Sequence, residues 1–176
     1  MTRETPMPIR AAAALVAAAT LAAPALAEFR EVEAEGTVPQ VADRLAAAVE
    51  EAGATLFARV DHAAGAEAAG LELEPATLLV FGNPELGTPV LQADLKAGLY
   101  LPLRVLVMDR DGQTFIVYED VRAMLDELDV PPAAPYLEPI SDALEALTTG
   151  VAEAPEGEMP PETSDEDDPA EGPAPQ

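Results

Sequence analysis

Residues 103–108 (LRVLVM) and 114–118 (TFIVY) are two apolar runs joined across Asp109-Arg110-Asp111-Gly112, and no other feature restricts the fold as tightly. An Asp-Gly pair supplies the positive φ that a tight turn needs, and β-branched and aromatic side chains suit pleated strands. The segment therefore reads as a β-hairpin. A hairpin cannot bury a face by itself, so the rest of the chain must supply further strands and a covering layer.

Those elements are legible on both sides. Before the hairpin, residues 29–34 read as a weak strand. Thr37-Val38-Pro39 places a cap and a first-turn proline ahead of Val41, Leu45, Ala48, Val49 and Ala52, which share one helical face up to Gly53. Residues 55–60 (TLFARV) read as a strand closed by Asp61-His62, and residues 63–69 as a helix of about two turns. The apolar residues 77–81 end abruptly at Gly82-Asn83-Pro84, which reads as a turn. The next helix is expected from Thr88-Pro89 to a break near Gly98, through Leu91 and Leu95.

Beyond the hairpin, Val121, Met124, Leu125 and Leu128 form one helical face, stopped by Pro131-Pro132. Leu137, Ile140, Leu144 and Leu147 form the last, with Gly150 as its expected stop. The expected fold is α+β, a single-domain sandwich of about five strands in a mixed sheet containing the antiparallel hairpin, covered by helices.

Both ends of the chain differ from this middle. Residues 1–10 carry Arg3 and Arg10, an uncharged alanine-rich run follows, and Ala25-Leu26-Ala27 gives a small-x-small site. That order is expected of a secretory signal peptide over 1–27, which implies a periplasmic or secreted protein with no stable membrane insertion after cleavage. Residues 151–176 are acidic and rich in proline, with little to bury, and are expected to be a disordered tail. The folded domain is then 28–150.

Composition excludes several chemistries. The formal charge of −24 leaves no basic surface for nucleic acid or for anionic membranes. Without cysteine there is no disulfide, thiol nucleophile or thiolate ligand. His62 is the only histidine, so a zinc site lacks ligands. Gly82 and Gly87 do not form a phosphate loop, because no Gly-Lys-Ser/Thr follows, and neither Ser141 nor Ser164 stands in a triad setting. No metal and no cofactor is expected.

The strand with its loop, Leu79-Val80-Phe81-Gly82-Asn83-Pro84 and Gly87-Thr88, with Asp61-His62, Leu101-Pro102-Leu103-Arg104 and Tyr118, resembles the DUF302 family over residues 36–147. The resemblance implies a small α+β domain and the neighbourhood of a site, but no reaction. The candidate ligand-binding residues are Asp61, His62, Asn83, Arg104 and Tyr118. His62 could serve as general acid or base, and Arg104 could clamp a carboxylate or phosphate. Against these stand structural readings: Asp61 as a helix cap, Asn83 as a turn residue, Arg104 in an ion pair.

A right-handed crossover through 63–69 would lay strands 55–60 and 77–81 side by side and parallel, with Asp61-His62 beside Gly82-Asn83-Pro84. Arg104 would join that edge if the first hairpin strand runs antiparallel to both. The expected function is a small-ligand-binding or accessory module of the cell envelope, with a homodimer allowed. The alternative is a small periplasmic enzyme using His62 and Arg104.

Overall fold

The structure, a computed structural model, describes residues 29–154. The proposed signal peptide with its cleavage point, and residues 155–176 of the proposed tail, lie outside the described residues.

Five strands make one sheet: β1 (Phe29–Ala34), β2 (Thr55–Asp61), β3 (Ala76–Gly82), β4 (Leu103–Arg110) and β5 (Gln113–Glu119), in the order β1-β5-β4-β3-β2. The helices are α1 (Val38–Glu51), α2 (His62–Ala68), α3 (Pro84–Ala93), α4 (Val121–Met124) and α5 (Leu137–Glu153), with a 3-10 turn over Leu95–Leu99. The hairpin forms as the sequence implies. Arg110 pairs with Gln113, and Asp111 and Gly112 take φ of 58° and 84°, the left-handed pair a two-residue turn requires. The Asp109 carboxylate accepts the Gly112 N–H at 3.0 Å.

Every neighbouring pair in the sheet is antiparallel, so the mixed sheet expected from the sequence is corrected. The crossover between β2 and β3 does not exist. A helix crossing a sheet needs an apolar stripe to lay on it, and α2 (HAAGAEA) buries no side chain. It connects the end of β2 to the segment before β3, and β3 returns alongside β2 in the opposite direction.

Register assigns the faces, since directly paired residues share one side. Leu79 and Phe81 on β3, Val105 and Val107 on β4, and Ile116 on β5 are buried on one face. Against them pack Val41, Leu45 and Val49 of α1 and Leu137, Ile140 and Leu144 of α5, which form the core with them. Each such side chain contributes about 1.5–3 kcal/mol by leaving water. Among the described residues the opposite face has no helix on it, and its Leu78, Val80, Leu106, Met108 and Val117 remain partly exposed.

Helix limits shift from expectation in three places. The helix after β3 starts at Pro84 rather than at Thr88, because the Asn83 Oδ1 accepts the Glu85 N–H at 2.8 Å and caps it. Pro89 then lies inside that helix and removes one backbone donor. The helix expected over 121–128 is a single turn, Val121–Met124, capped by Asp120. The last helix runs through Gly150 to Glu153, carrying Val151 and Ala152 into the core. An isolated helical glycine lowers stability without stopping the helix when flanking residues are buried.

Candidate functional site

The strand-to-helix junction at Phe81-Gly82-Asn83-Pro84 opens onto a cavity of about 280 Å³. Its walls come from the ends of β3 and β4, the first turns of α3, the segment leading into β4 and one face of α5. Gly87 and Thr88 line it from α3, Leu101-Pro102-Leu103 from the β4 approach, and Ala143 and Leu147 from α5. The two motif segments through which the sequence resembles its family therefore converge on one cavity, although about twenty residues separate them. Phe57 borders it where a bulge between Leu56 and Ala58 breaks the β2 register, and its ring remains 57% exposed.

The lining is almost wholly apolar. Among the described residues Asn83 and Thr88 are its only polar side chains, and no ionisable group is among them. The Asn83 oxygen is occupied by its cap bond, leaving the side-chain amide as the donor available at the rim. Gly82 has an ordinary backbone conformation, and a Cβ there would meet Pro102 Cβ at 3.5 Å, normal contact. The glycine is thus not forced by a left-handed turn. Gly87 is likewise open, with a Cβ meeting only Leu101 Cδ1 at 3.8 Å.

The five residues singled out from the sequence do not meet. Asp61 pairs with Thr77 and Thr55 with Gly82, so Asp61-His62 lies at the opposite end of β3 from Asn83. Six residues of strand separate those ends by about 20 Å. The shared site at Asp61-His62 and Gly82-Asn83-Pro84 is removed by the antiparallel pairing that replaces the crossover. Asp61 caps α2 by accepting the Ala64 N–H at 2.9 Å, and His62 is exposed as its first residue.

Arg104 reaches the expected end of the sheet, because β4 runs antiparallel to β3 and Leu103 pairs with Phe81. Its side chain belongs to the other face, in register with Val80, and does not line the cavity. Tyr118 sits on the helix-covered face in a separate cleft of about 210 Å³ with Arg30, Asp120, Ser141 and Glu145. Only Asn83 of the five touches the cavity.

Displaced acidities also lie elsewhere. A hydrogen bond from Arg110 holds the Glu31 carboxyl below its usual range, on the helix-free face. The backbone N–H of Lys96 does the same for Asp94. Burial pushes Asp120 up, but the Ala123 and Arg122 amides and the Arg30 guanidinium more than offset it, leaving the group lowered. Among the described residues no group of three histidine or carboxylate side chains could hold a metal ion.

The cavity's apolar lining was not singled out from the sequence, because leucines on α5 and in the segment before β4 read as ordinary core. One signal was present: Phe57 falls on the polar phase of β2 beside Thr55 and Arg59.

An antiparallel five-stranded sheet with helices on one face and an apolar cavity at one edge defines a small two-layer α+β domain. The chain belongs to the family described as "Domain of unknown function DUF302", whose pattern matches residues 30–147. The crystal structure of an uncharacterized conserved DUF302 protein from Bacillus stearothermophilus shares the fold, with a TM-score of 0.63, 20% identity, and coverage of 69% of this chain and 95% of that one.

Proteins from Brucella suis and Brucella abortus named "Fluoride-specific ion channel FluC 1" are 41% identical over 90 residues, or 51% of this chain. The match spans 35% and 33% of those relatives, so this chain corresponds to about a third of each. Among the described residues no helix is long and apolar enough to cross a membrane.

Proposed function

We propose that this DUF302 protein is an exported binding module of the cell envelope that takes a small, neutral, mostly apolar ligand in the cavity between β3, α3 and α5. The observation that carries this reading is the convergence of Phe81-Gly82-Asn83-Pro84, Gly87-Thr88 and Leu101-Pro102-Leu103 on one apolar cavity. The volume is near the lower limit of small-molecule sites. Thr88 and the Asn83 amide would orient one polar end of the ligand. A buried anion would have no cation to offset its desolvation there, which favours an uncharged body.

Export rests on the basic, apolar and small-x-small order of residues 1–27. The stretch shared with proteins named as fluoride-specific channels supports an accessory role beside membrane proteins. Fluoride itself does not suit a cavity without a charged lining. The enzymatic alternative loses its geometry, because His62 follows the end of β2 opposite Thr77 while Arg104 stands opposite Val80, toward the other end of the sheet.

The test is titration with N-phenyl-1-naphthylamine, a neutral apolar fluorophore, followed by displacement with straight-chain alcohols of increasing length. Saturable enhancement with one site per chain, and competition that strengthens with chain length until the cavity is full, are expected. Absence of saturable binding overturns the reading.

A further inference from the structure

The helix-free face of the sheet is a surface that the binding site leaves unused. Its residues follow from register. One row across the strands is Val60, Leu78, Leu106, Val117 and Glu31, and the row beside it is Ala58, Val80, Arg104, Glu119 and Phe29. A third row carries Ala76, Met108, Phe115 and Glu33. Apolar side chains hold the middle, and Phe29 and Val60 at the margins are 61% and 41% exposed. Five strands about 4.8 Å apart and about 23 Å long give a face of roughly 500–600 Å². The apolar middle is part of that area, and an exposed apolar patch of a few hundred Å² on a monomer often marks a contact surface.

Charge on this face differs from charge elsewhere. It carries Glu31, Glu33 and Glu119 against Arg104 and Arg110, nearly balanced, within a chain whose formal charge is −24. Arg110 is already engaged, bonded to Glu31 at 2.8 Å with its guanidinium 4.2 Å over the Phe115 ring. Arg104 is not. Among the described residues Arg30, Arg59, Lys96 and Arg110 have ion pairs, and Arg44 and Arg122 donate to backbone carbonyls. Arg104 alone among those bases makes neither contact, although Val105 pairs with Tyr118 and the same register extended by one residue brings Glu119 opposite Arg104.

We infer that this face is a homodimer interface, with two copies packed sheet to sheet about a twofold axis that runs along the strands between β4 and β5. That axis lays β4 of one copy over β5 of the other, so each Arg104 meets Glu119 of the second copy. The twofold makes the contact twice, and Leu106 then faces Val117 of the second copy and Met108 faces its Phe115. An isologous patch must carry both signs close to its axis, and this one does. About that axis four strands of each copy overlap and β2 lies outside, so the joined faces remove roughly 900 Å² before side-chain relief is counted, close to the about 1,000 Å² of a small specific interface. Two strongly acidic copies repel over most of their surfaces, and the balanced face is where that repulsion is least.

The occupant is therefore a second copy in preference to an anionic membrane or a nucleic acid, for which one guanidinium in a balanced face is insufficient. The cavity opens on the other side of the sheet and remains accessible in the pair.

The experiment is sedimentation equilibrium of the full chain and of Arg104→Glu and Glu119→Arg, alone and mixed, at about physiological ionic strength. Wild type is expected to dimerise at micromolar concentration, and each variant alone to associate at least about tenfold more weakly, since like charges then meet across the axis. The two variants mixed are expected to form a heterodimer. In it the two introduced side chains, a glutamate on β4 of one copy and an arginine on β5 of the other, face each other with opposite charge, while the second contact keeps its native Arg104 and Glu119. Circular dichroism melts control for folding. Monomeric wild type, single variants that dimerise like wild type, or a mixture that fails to associate would each overturn the inference. So would recovery of wild type bound to vesicles of phosphatidylglycerol in place of a dimer.

Discussion

Replacing Gly87 by alanine separates stability from binding, because the two should move in opposite directions. Gly87 lies inside α3 with an ordinary helical backbone, where glycine costs about 0.5–1 kcal/mol relative to alanine. A Cβ there meets only Leu101 Cδ1, at 3.8 Å, so no strain cancels the gain. For a domain of this size the melting temperature should rise by about 2–5 °C. Both Gly87 and Leu101 line the cavity, so the added methyl occupies ligand space. Losing one methylene-sized contact weakens an apolar ligand by about 0.8 kcal/mol, roughly fourfold.

Gly87→Leu extends the same logic, filling a large part of the 280 Å³ with a good helix former. Binding of N-phenyl-1-naphthylamine should then be abolished while the protein stays folded. Differential scanning calorimetry and fluorescence titration on the three proteins give both quantities. A leucine variant that is folded and binds like wild type would refute the placement of the ligand, and an alanine variant that melts lower would refute the stability argument.

Other expectations follow from the same contacts. Ending the chain after Gly150 removes buried Val151 and should cost about 1.5–3 kcal/mol, whereas ending it after Ala154 should leave the melt unchanged. Asp120→Ala removes the cap of α4, with bonds of 3.0 and 3.1 Å to the Arg122 and Ala123 amides, and should cost about 1 kcal/mol at neutral pH. The folded-state pKa of Asp120 is lowered from its ordinary value of 3.8, so its contribution is present above that value and lost as pH falls below it. The gap between wild-type and variant melting temperatures should therefore close only in acid, and a gap that persists far below 3.8 would contradict the charged cap. His62→Ala should change stability by less than about 0.5 kcal/mol and leave probe binding intact, and loss of binding would restore His62 to a site.

What the sequence disclosed depended on whether the information was local. The β4–β5 hairpin was legible because Asp111-Gly112 fixes a turn whose partners are adjacent. The helical faces of Val41-Leu45-Val49 and Ile140-Leu144 were legible because their period is visible in one segment. The direction of β3 against β2 was not, since it depends on whether α2 crosses the sheet, and a helix of alanines gives no face to judge. That one error separated His62 from Asn83.

Asn83 shows a subtler ambiguity. Its turn geometry and its helix cap use the same side-chain bond, and only the residues after it, already helical from Pro84, decide between them. Arg104 illustrates the limit of strand reasoning: pairing set its end of the sheet, but alternation set its face, and the two must be combined.

Strand β1 is the first element described and pairs with β5, with Arg30 bonded to Asp120 across a sequence separation of 90. Until that distant segment is available, β1 has only a partial surface to dock on, and α1 can gather β2, β3 and β4 before the first strand closes the sheet. Long-range closure of this kind is slow relative to local hairpin formation. In a chain made from its amino end, the segment next to the proposed export signal is thus the one for which the fold has the latest use. Its amides should be the last in the sheet to gain protection in pulsed hydrogen exchange.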